Sequence, residues 1–230
     1  MLDLQLATLP EIAAHYQSDE INWIRANMIV SQDSHFVGAG DSSRDLTGES
    51  DLKLLLLLRA LSDAVLVGAN TARQESYRQP RRREEFTFLN RPAPRLVIVS
   101  ASLDFDVASN LFHGGEHRTL VINAGEDVPS KDLLEVADVV SVQSDQNFAQ
   151  SLVQALASLN LLKITCEGGP TLLTKLLDAQ MVNEYDLTIS PITVGGTAQW
   201  PEALPRITDW IEVDSASSGD FEFKRLLRHS

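Results

Sequence analysis

The sequence predicts an α/β fold built on a mixed, mostly parallel sheet that is flanked by helices and closed by a C-terminal antiparallel hairpin. Two observations carry this prediction. Short aliphatic, strand-like runs alternate with helical stretches from Ile21 to Ser190, a pattern typical of parallel βαβ units. Two further runs, Thr208–Val213 and Phe221–Leu226, then follow each other with no helix between them, which favours an antiparallel pair at one edge.

Nine segments have strand character, and their order along the chain defines the predicted sheet. They are Ile21–Val30, Ala64–Val67, Arg95–Val99, Thr119–Asn123, Asp138–Val142, Leu162–Cys166, Tyr185–Ser190, Thr208–Val213 and Phe221–Leu226. The predicted helices fill the gaps: Gly48–Leu61, Ala72–Ser76, Lys131–Val136, Asn147–Ser158 and Pro170–Ala179. Thr47 is the expected N-cap of the first of these helices, whose continuous leucines predict burial on nearly every side.

Composition predicts one large globular domain, preceded by a short extension. The chain has 230 residues, of which 43% are hydrophobic and 22% charged, and no linker-like segment divides it. Residues 1–20 have loosely helical spacing and are expected to form an N-terminal helical extension, with a single domain over residues 21–230. The longest apolar runs, such as Leu54–Leu58, are far shorter than the roughly 20 residues of a membrane span.

Charge and cysteine content restrict the expected cellular location and the classes of binding partner. The net charge is −13, which argues against nucleic acid and anionic membranes as partners. The N-terminus lacks the basic start of a secretory signal. Cys166 is the single cysteine, so no intrachain disulfide can form, and we expect a cytoplasmic protein. At the end of a buried strand, Cys166 is most simply a core residue.

A basic island interrupts the acidic sequence. Its members are Arg59, Arg73, Arg78, Arg81, Arg82, Arg83, Arg91 and Arg95. Such an island can bind a small anionic ligand, but a run like Arg81–Arg83 followed by two glutamates is also typical of a solvated charged loop. Both interpretations stay open on the sequence alone.

The strongest chemical motif is Glu167-Gly168-Gly169-Pro170-Thr171-Leu172. It directly follows a predicted strand, and Pro170 stands where a first helical residue should be. A strand, a diglycine and a helix N-terminus together present free backbone amides and a positive dipole to a phosphate. Tight strand-to-helix turns are often glycine-rich without binding anything. Spacing alone therefore favours a phosphate-binding turn and a purely structural turn equally.

Three weaker motifs lie at other strand ends. Val67–Arg73 is a strand entering a glycine turn, where Asn70 or Thr71 could cap the next helix. Asp33 follows the first strand, at the end where α/β proteins bind ligands, although a single aspartate there is more often a turn residue. Pro191–Gly196 ends another strand in a diglycine, for which a purely structural role is the better interpretation.

Several other chemistries are disfavoured. The five histidines show no metal-ligand spacing, so no metal site is predicted. The sequence contains no nucleophile elbow, no P-loop and no G-x-G-x-x-G fingerprint.

Taken in order, these motifs resemble a known family. The matching segments are Arg25–Met28, Ser31-x-Asp33, Leu58–Thr71, Glu167–Leu172, Asp178–Ala179, Ser190–Ile192 and Gly195–Gly196. They resemble the reductase domain of the bacterial riboflavin-pathway deaminase-reductases, and most closely the stand-alone pyrimidine reductases. The resemblance implies a dihydrofolate-reductase-like fold, NADPH as cofactor, a homodimer, and reduction of a phosphoribosylamino-pyrimidine at sugar C1′ after the ring opens to an imine.

The resemblance also implies roles for individual residues. Gly168, Gly169, Pro170, Thr171 and Leu172, in the stretch that runs on to Lys175, would hold the NADPH pyrophosphate. Thr71 and Glu75 would lie on the cofactor side, and Ser100 near the adenosine. Arg59 would bind the substrate phosphate, Glu167 the pyrimidine or sugar, and Ser43 (or its neighbour Ser42) the substrate. Asp33 is the expected proton relay.

The sequence departs from the family pattern around the expected substrate pocket. Ser34 replaces the glycine of S-x-D-G, Arg44 and Asp45 stand where a tryptophan is usual, and the acidic D-D-P segment is Glu75-Ser76-Tyr77. Two alternatives therefore stay open: a dihydrofolate or other pteridine reductase on the same fold, and a non-catalytic nucleotide-binding protein.

Overall fold

The computed structural model describes residues 2–40, 42–196 and 210–229, and the strands in these residues form one sheet. Its ten strands are β1 (Leu2–Asp3), β2 (Trp23–Val30), β3 (Ala64–Gly68), β4 (Arg95–Ser100), β5 (Thr119–Asn123), β6 (Ala137–Ser141), β7 (Lys163–Cys166), β8 (Glu184–Ile189), β9 (Trp210–Ser218) and β10 (Phe221–Arg228). Their order across the sheet is β1-β9-β10-β8-β2-β7-β3-β4-β5-β6.

Six helices accompany the sheet within the described residues. They are α1 (Leu9–Tyr16), α2 (Glu49–Ala60), α3 (Ala69–Gln74), α4 (Lys131–Val136), α5 (Phe148–Ser158) and α6 (Pro170–Asp178). Two short 3-10 helices, Ser43–Asp45 and Glu84–Leu89, lie in the connections on either side of α2 and α3. None of the helices in the described part of the chain is both long and apolar enough to span a membrane.

The predicted fold class is confirmed. Strands β2 to β8 pair only in parallel with one another, whereas β10 runs antiparallel to both β8 and β9 and forms the C-terminal hairpin with β9. The strand predicted at Thr208–Val213 is observed from Trp210, and residues 208 and 209 lie outside the described residues. Because residues point alternately to the two faces, each strand contributes to two layers of core.

Helices cover both faces of the sheet. On one face, α5 and α6 bury Leu152 and Leu173 against Tyr185 of β8. On the other face, α1 and α2 pack over the C-terminal hairpin, where Leu57 meets Phe223, and α3 and α4 pack further along the sheet. The chain is therefore a three-layer sandwich, whose α2 face carries the site described below.

Three local predictions are wrong, each for a physical reason. Gly48 rather than Thr47 is the N-cap of α2, and a Cβ there would lie 2.7 Å from the Phe221 ring, so only glycine lets the ring pack so closely. Helix α3 already begins at Ala69 after Gly68, which places Asn70 and Thr71 inside the helix rather than at its cap. Helix α2 is buried on one side only, because Leu54, Leu57 and Leu58 pack into the core whereas Leu52 lines the open cleft and is 47% exposed.

The N-terminal segment is more than a helical extension. Strand β1 adds to the edge of the sheet by pairing in parallel with Ala216 and Ser217 of β9. Helix α1 begins with a reciprocal capping box between Thr8 and Glu11, and it buries Ile12 and Tyr16 against α2. The segment therefore shares its core with the rest of the chain.

A cluster of buried charges holds the hairpin against β2 and α1. Glu184 of β8 is fully buried and accepts hydrogen bonds from Arg25, Arg225 and the Trp23 indole N–H. Burial tends to raise the pKa of Glu184, but Arg25 and Arg225 outweigh it and hold the pKa below its usual range. Beside it, burial and the Glu184 charge raise the pKa of Asp186 well above its usual range.

Removing this carboxylate should destabilise the fold. Glu184→Ala leaves two arginines without their partner in a buried setting, and we expect a loss of about 3–5 kcal/mol in the free energy of unfolding. Because the folded pKa is lowered, the contribution of Glu184 is present above the ordinary carboxyl pKa and is lost as pH falls through the folded value.

Urea unfolding at neutral and acidic pH measures both effects. The matched control is Glu212→Ala, which breaks an exposed ion pair with Lys224 (3.6 Å) and should change stability by at most about 0.5 kcal/mol. Equal losses from the two variants would contradict a central role for Glu184.

Candidate active site

The carboxyl ends of four neighbouring parallel strands form one edge of the sheet. Strands β2, β7, β3 and β4 lie side by side and end at Val30, Cys166, Gly68 and Ser100. Ligands of open α/β sheets bind outside this edge. The structure thus brings most of the predicted site residues to the end of the sheet where such a site is expected. Ser100, the last residue of β4, is buried there.

The diglycine turn lies tightly against the start of α3. The Gly68 N–H donates a 2.8 Å hydrogen bond to the Gly168 carbonyl, and the Gly168–Gly169 peptide is cis. A Cβ on Gly169 would overlap the Thr71 hydroxyl, and Gly168 has a φ of +84°, so both positions require glycine. The structure therefore brings together Thr71, Gly168 and Gly169, as the sequence predicts.

Helix α6 begins directly at this turn. Pro170 is in its first turn, and Gly169 is its N-cap without any side-chain hydrogen bond. The first backbone N–H groups of a helix have no partner inside it, so those of Thr171 and Leu172 are free to meet an anion. Leu172 can offer only its backbone, because its side chain is buried in the core. This cradle of amides and glycines fits the pyrophosphate of a dinucleotide such as NADPH.

An ion pair joins α2 to the end of β7. The Arg59 Nε and Nη2 groups donate to the two Glu167 carboxylate oxygens over 2.6 and 2.7 Å. The Tyr77 hydroxyl donates to Oε2 of the same carboxylate over 2.6 Å, and Arg59 lies 5.4 Å from the Tyr77 ring centroid. Glu167 faces α2 because side chains alternate along β7 and Thr165 also faces that helix.

This network determines what Arg59 can do. Burial works against the Arg59 charge, but Glu167 outweighs it and raises the arginine pKa. The side chains of Arg59 and Glu167 are 23% and 4% exposed. Arg59 and Glu167, both predicted to bind substrate, therefore bind each other. The Arg59 guanidinium group, which was expected to hold a phosphate, is already engaged by the Glu167 carboxylate.

Ser43 and Glu75 form a second contact next to this network. The Ser43 N–H and the Ser42 hydroxyl each donate to the Glu75 carboxylate over 2.8 Å, and Arg44 pairs with it as well. Glu75 follows α3, one turn after Thr71. Glu75, predicted on the cofactor side, thus directly contacts the loop predicted to bind substrate.

A cleft of about 820 Å³ opens between α2 and the segment after α3. Seven arginines line it: Arg44, Arg59, Arg78, Arg81, Arg82, Arg83 and Arg91. The apolar side includes Leu52 of α2, which is 47% exposed. Most of the basic island therefore lines one cleft. Arg73 and Arg95 lie elsewhere, bonded to the Asp104 carbonyl and to Asp138.

Two of the cleft arginines are free to meet a ligand. Among the described residues, the guanidinium groups of Arg78 and Arg82 have no ion pair or hydrogen bond, and both side chains are exposed. The other cleft arginines are engaged, for example Arg91 with Asp63 over 2.6 Å and Arg83 with Glu85 over 2.6 Å. The cleft therefore offers unneutralised positive charge near the Arg59–Glu167 pair.

Asp33 serves as an anchor between two loops. Its carboxylate accepts hydrogen bonds from the Ser31 hydroxyl (2.6 Å) and from the backbone N–H groups of Val194 (3.1 Å) and Gly195 (2.6 Å). These hydrogen bonds, of which the one from Ser31 has the largest effect, hold the pKa of Asp33 well below its usual range. A carboxyl group that stays ionised at neutral pH has no proton to give, so these contacts do not favour the predicted proton relay.

Sequence reasoning missed three residues of this region. Tyr77 completes the hydrogen-bond network around Glu167. The available signal for Tyr77 was that Glu75-Ser76-Tyr77 stands where the family has the acidic D-D-P segment. Asn27 is half-buried in the central strand β2 on the α2 face, which requires an opening above it. Asp51 is buried near the end of the same face. A polar residue within an apolar strand, and an acidic residue facing inward on a leucine-rich helix, were the available signals.

These features define an α/β protein with a diglycine turn at the start of α6 and an arginine-lined cleft beside α2. The sequence matches the RibD C-terminal domain family over residues 22–211. The chain belongs to this family.

Named relatives and solved structures agree with this assignment. The chain is 24% identical over 181 residues to the 2,5-diamino-6-ribosylamino-4(3H)-pyrimidinone 5′-phosphate reductase of Archaeoglobus fulgidus, covering 76% of this chain and 82% of that protein. It is 27% identical over 166 residues to the Methanothermobacter thermautotrophicus protein of the same name, covering 70% and 74%. A pyrimidine reductase-like protein from Corynebacterium diphtheriae superposes with a TM-score of 0.81 at 25% identity, covering 97% and 100%.

We expect the Arg59–Glu167 pair to stabilise the fold as well as the site. Arg59→Ala leaves the nearly buried Glu167 carboxylate without its cation and should cost about 3 kcal/mol, the low end for buried pairs because Arg59 is partly exposed. Tyr77→Phe removes one hydrogen bond to a charged group and should cost about 1.5 kcal/mol.

Chemical unfolding of the single variants and of Arg59→Ala/Glu167→Ala measures the coupling. The double variant should lose less than the sum of its two single variants, since the second substitution removes the unpaired charge. Arg83→Ala, in an exposed pair with Glu85, is the control. Additive losses would mean that the pair contributes no coupling energy.

Proposed function

We propose that this protein is an NADPH-dependent reductase that acts on a ribosylamino-pyrimidine 5′-phosphate. The observation that carries the proposal is a pair of candidate binding sites joined by the Arg59–Glu167 contact: the backbone amides at the start of α6 and the basic cleft beside α2. Membership of the RibD C-terminal domain family and the names of the relatives support the reaction class. A homodimer and a cytoplasmic location stay predictions of the family resemblance.

The cofactor would lie along the carboxyl ends of β7, β3 and β4. Its pyrophosphate would meet the N–H groups of Thr171 and Leu172, with Gly169 and Thr71 beneath it. Its adenosine would extend toward Ser100. Arg73, next to the loop that follows Ser100, would supply the cation that favours the 2′-phosphate of NADPH over NADH. When bound, NADPH supplies the hydride for the reduction.

The substrate would fill the cleft beside α2. Arg78 and Arg82 would hold the phosphate, a task for which Arg59 is less suited because Glu167 already occupies its fork. Ser43 and the Glu167 edge would meet the polar pyrimidine or ribose. The exposed leucines of α2 would pack against the apolar faces of the ligand and exclude water from it.

A cofactor-oxidation assay tests this function. Loss of NADPH absorbance at 340 nm should follow addition of the diamino-pyrimidinone or the uracil form of the substrate, and should be faster with NADPH than with NADH. Arg82→Ala should raise KM for the phosphorylated substrate about tenfold, the effect of about 1.4 kcal/mol, and leave KM for the dephosphorylated substrate unchanged.

Each alternative predicts a different result in the same assay. Turnover of dihydrofolate instead of the pyrimidines would favour a pteridine reductase. Binding of NADPH without turnover of any of these substrates would favour a non-catalytic nucleotide-binding protein.

Substitutions at Gly169 distinguish a role of this glycine in packing from a role in NADPH binding. Gly169→Ala should abolish NADPH binding, because the new Cβ would overlap the Thr71 hydroxyl and displace the turn. Thr71→Ala removes that hydroxyl and lets the double variant Gly169→Ala/Thr71→Ala regain the native turn, with its Cβ about 3.6 Å from that of residue 71.

Isothermal titration with NADPH and circular dichroism follow the two effects. If the turn lies against the pyrophosphate, the double variant should refold fully yet bind NADPH at least tenfold more weakly than Thr71→Ala alone. Wild-type affinity in the double variant would mean that Gly169 is required only for packing.

A further inference from the structure

A second cavity lies at the end of the sheet opposite the diglycine turn. Its volume is about 350 Å³, and it lies between helix α1, the end of α2 and the amino ends of β2 and β7. Because the side chains of a strand alternate between its faces, Trp23 and Arg25 of β2 point to the same side, and Lys163 of β7 lies beside Trp23 in the register. The proposed function uses none of these three residues.

The lining of this cavity is basic, although the chain as a whole is acidic. Arg25, Arg91 and Lys163 line it, and none of the fifteen described residues that line it is an aspartate or a glutamate. The whole chain, by contrast, has 32 acidic residues against 19 lysines and arginines. Three cations that converge on a cavity without a carboxylate favour an anionic ligand.

Lys163 and Arg91 keep donor groups that the protein itself does not use. Lys163 forms no ion pair in the described part of the chain, and its Nζ group donates one of its three protons to the Ser18 carbonyl over 2.5 Å. The Arg91 Nη2 group donates to Asp63 over 2.6 Å, whereas its Nε group is buried without a hydrogen-bond partner among the described residues. Both side chains can therefore bind a ligand without giving up their present contacts.

Arg25 is the most deeply buried cation of this cavity. It is 3% exposed, and its Nη2 group donates to the Tyr16 carbonyl and to Glu184. Its Nε group lies 3.1 Å from Asp186 but forms no hydrogen bond, and its Nη1 group has none with any described residue. Because a buried donor is costly to leave unused, an anion in the cavity would stabilise Arg25.

Aromatic and aliphatic side chains form the rest of the lining. Trp23 is half-buried, and Phe88, from the short helix Glu84–Leu89, is 44% exposed. Leu61 and Ile164 add buried apolar surface. Ligand pockets are typically apolar with a few convergent polar groups, and their volumes begin at about 300 Å³. The volume of this cavity therefore fits a single ring with one acidic group, and it is too small for a dinucleotide.

We propose that this cavity is a second ligand site, which binds a small anion composed of a planar ring and a phosphate group. Arg25, Arg91 and Lys163 bind the phosphate, because three cations suit a dianion better than a single carboxylate. Trp23 and Phe88 pack against the ring. Arg91 also lines the cleft beside α2, so a ligand here contacts the segment that separates the two cavities. The site does not depend on the proposed reaction.

Nuclear magnetic resonance of the tryptophan indole groups tests this site, with phenyl phosphate as the probe. The chain has three tryptophans, and the indole N–H signal that is absent from Trp23→Phe belongs to Trp23. In wild type this signal should shift and saturate as phenyl phosphate is added to about 20 mM, because we expect a Kd of about 1 mM or below. Phenol, which has the same ring without the phosphate, should cause no saturable shift.

Two variants distinguish the phosphate contacts from the ring contacts. Lys163→Met keeps an aliphatic side chain without the charge and should raise the Kd for phenyl phosphate about tenfold. Phe88→Ala should raise it about fivefold and leave the Kd for inorganic phosphate unchanged. The matched control is Lys131→Met, which removes an exposed lysine at the start of α4, outside the cavity, and should bind as wild type does.

Several results would overturn this assignment. The first is a Trp23 signal that does not saturate with phenyl phosphate. The second is wild-type affinity in Lys163→Met, or an equal loss in Lys131→Met, with circular dichroism showing that both variants are folded. The third is loss of the Trp23 response in Arg82→Ala, which would place the ligand in the cleft beside α2 instead. None of these measurements involves NADPH or turnover, so their outcome is independent of the proposed function.

Discussion

The Arg59–Glu167 ion pair joins the parts of the molecule that make the site. Arg59 belongs to α2, Glu167 ends β7, and Tyr77 brings the segment after α3 to the same carboxylate. Three stretches that are distant in sequence thereby meet at one nearly buried charge, which is costly to leave unpaired. One wall of the cleft and the start of the glycine turn are both fixed by this contact. Arg59 and the exposed Arg78 and Arg82 line the same cleft.

The two ends of the sheet use buried charge differently. At the amino end of β8, Glu184 meets two arginines and an indole N–H, and the cluster binds α1 and the hairpin to the central strands. At the carboxyl edge, the acidic groups meet different partners: Asp33 meets backbone amides and the Ser31 hydroxyl, whereas Glu167 meets Arg59 and the Tyr77 hydroxyl. Hydrogen bonds, that from Ser31 first, hold the pKa of Asp33 below its usual range, whereas burial raises the pKa of Asp51 in the first turn of α2.

Most of the fold could be predicted from the sequence because strand and helix periodicity are local. The strand Thr119–Asn123 and the helix Lys131–Val136 are observed with the predicted bounds. The cap of α2 could not be predicted, because it depends on Phe221, which is distant in sequence. The diglycine turn and its neighbour Thr71 were found through motif order. The partners of Arg59 and Glu75 were not, because contacts across the sheet leave no spacing signal in one sequence.

The anchor at Asp33 has a consequence for how this protein can vary. Its carboxylate recognises the peptide N–H groups of residues 194 and 195 and not their side chains. Any non-proline residue that adopts the same backbone can occupy position 194, so sequence drift there leaves the contact intact. A change at Asp33, by contrast, has no compensating change on the other loop. Homologues should therefore keep Asp33 and vary freely at position 194, whereas Gly195, with a φ of +82°, should stay glycine. Residue covariation cannot detect such a long-range contact.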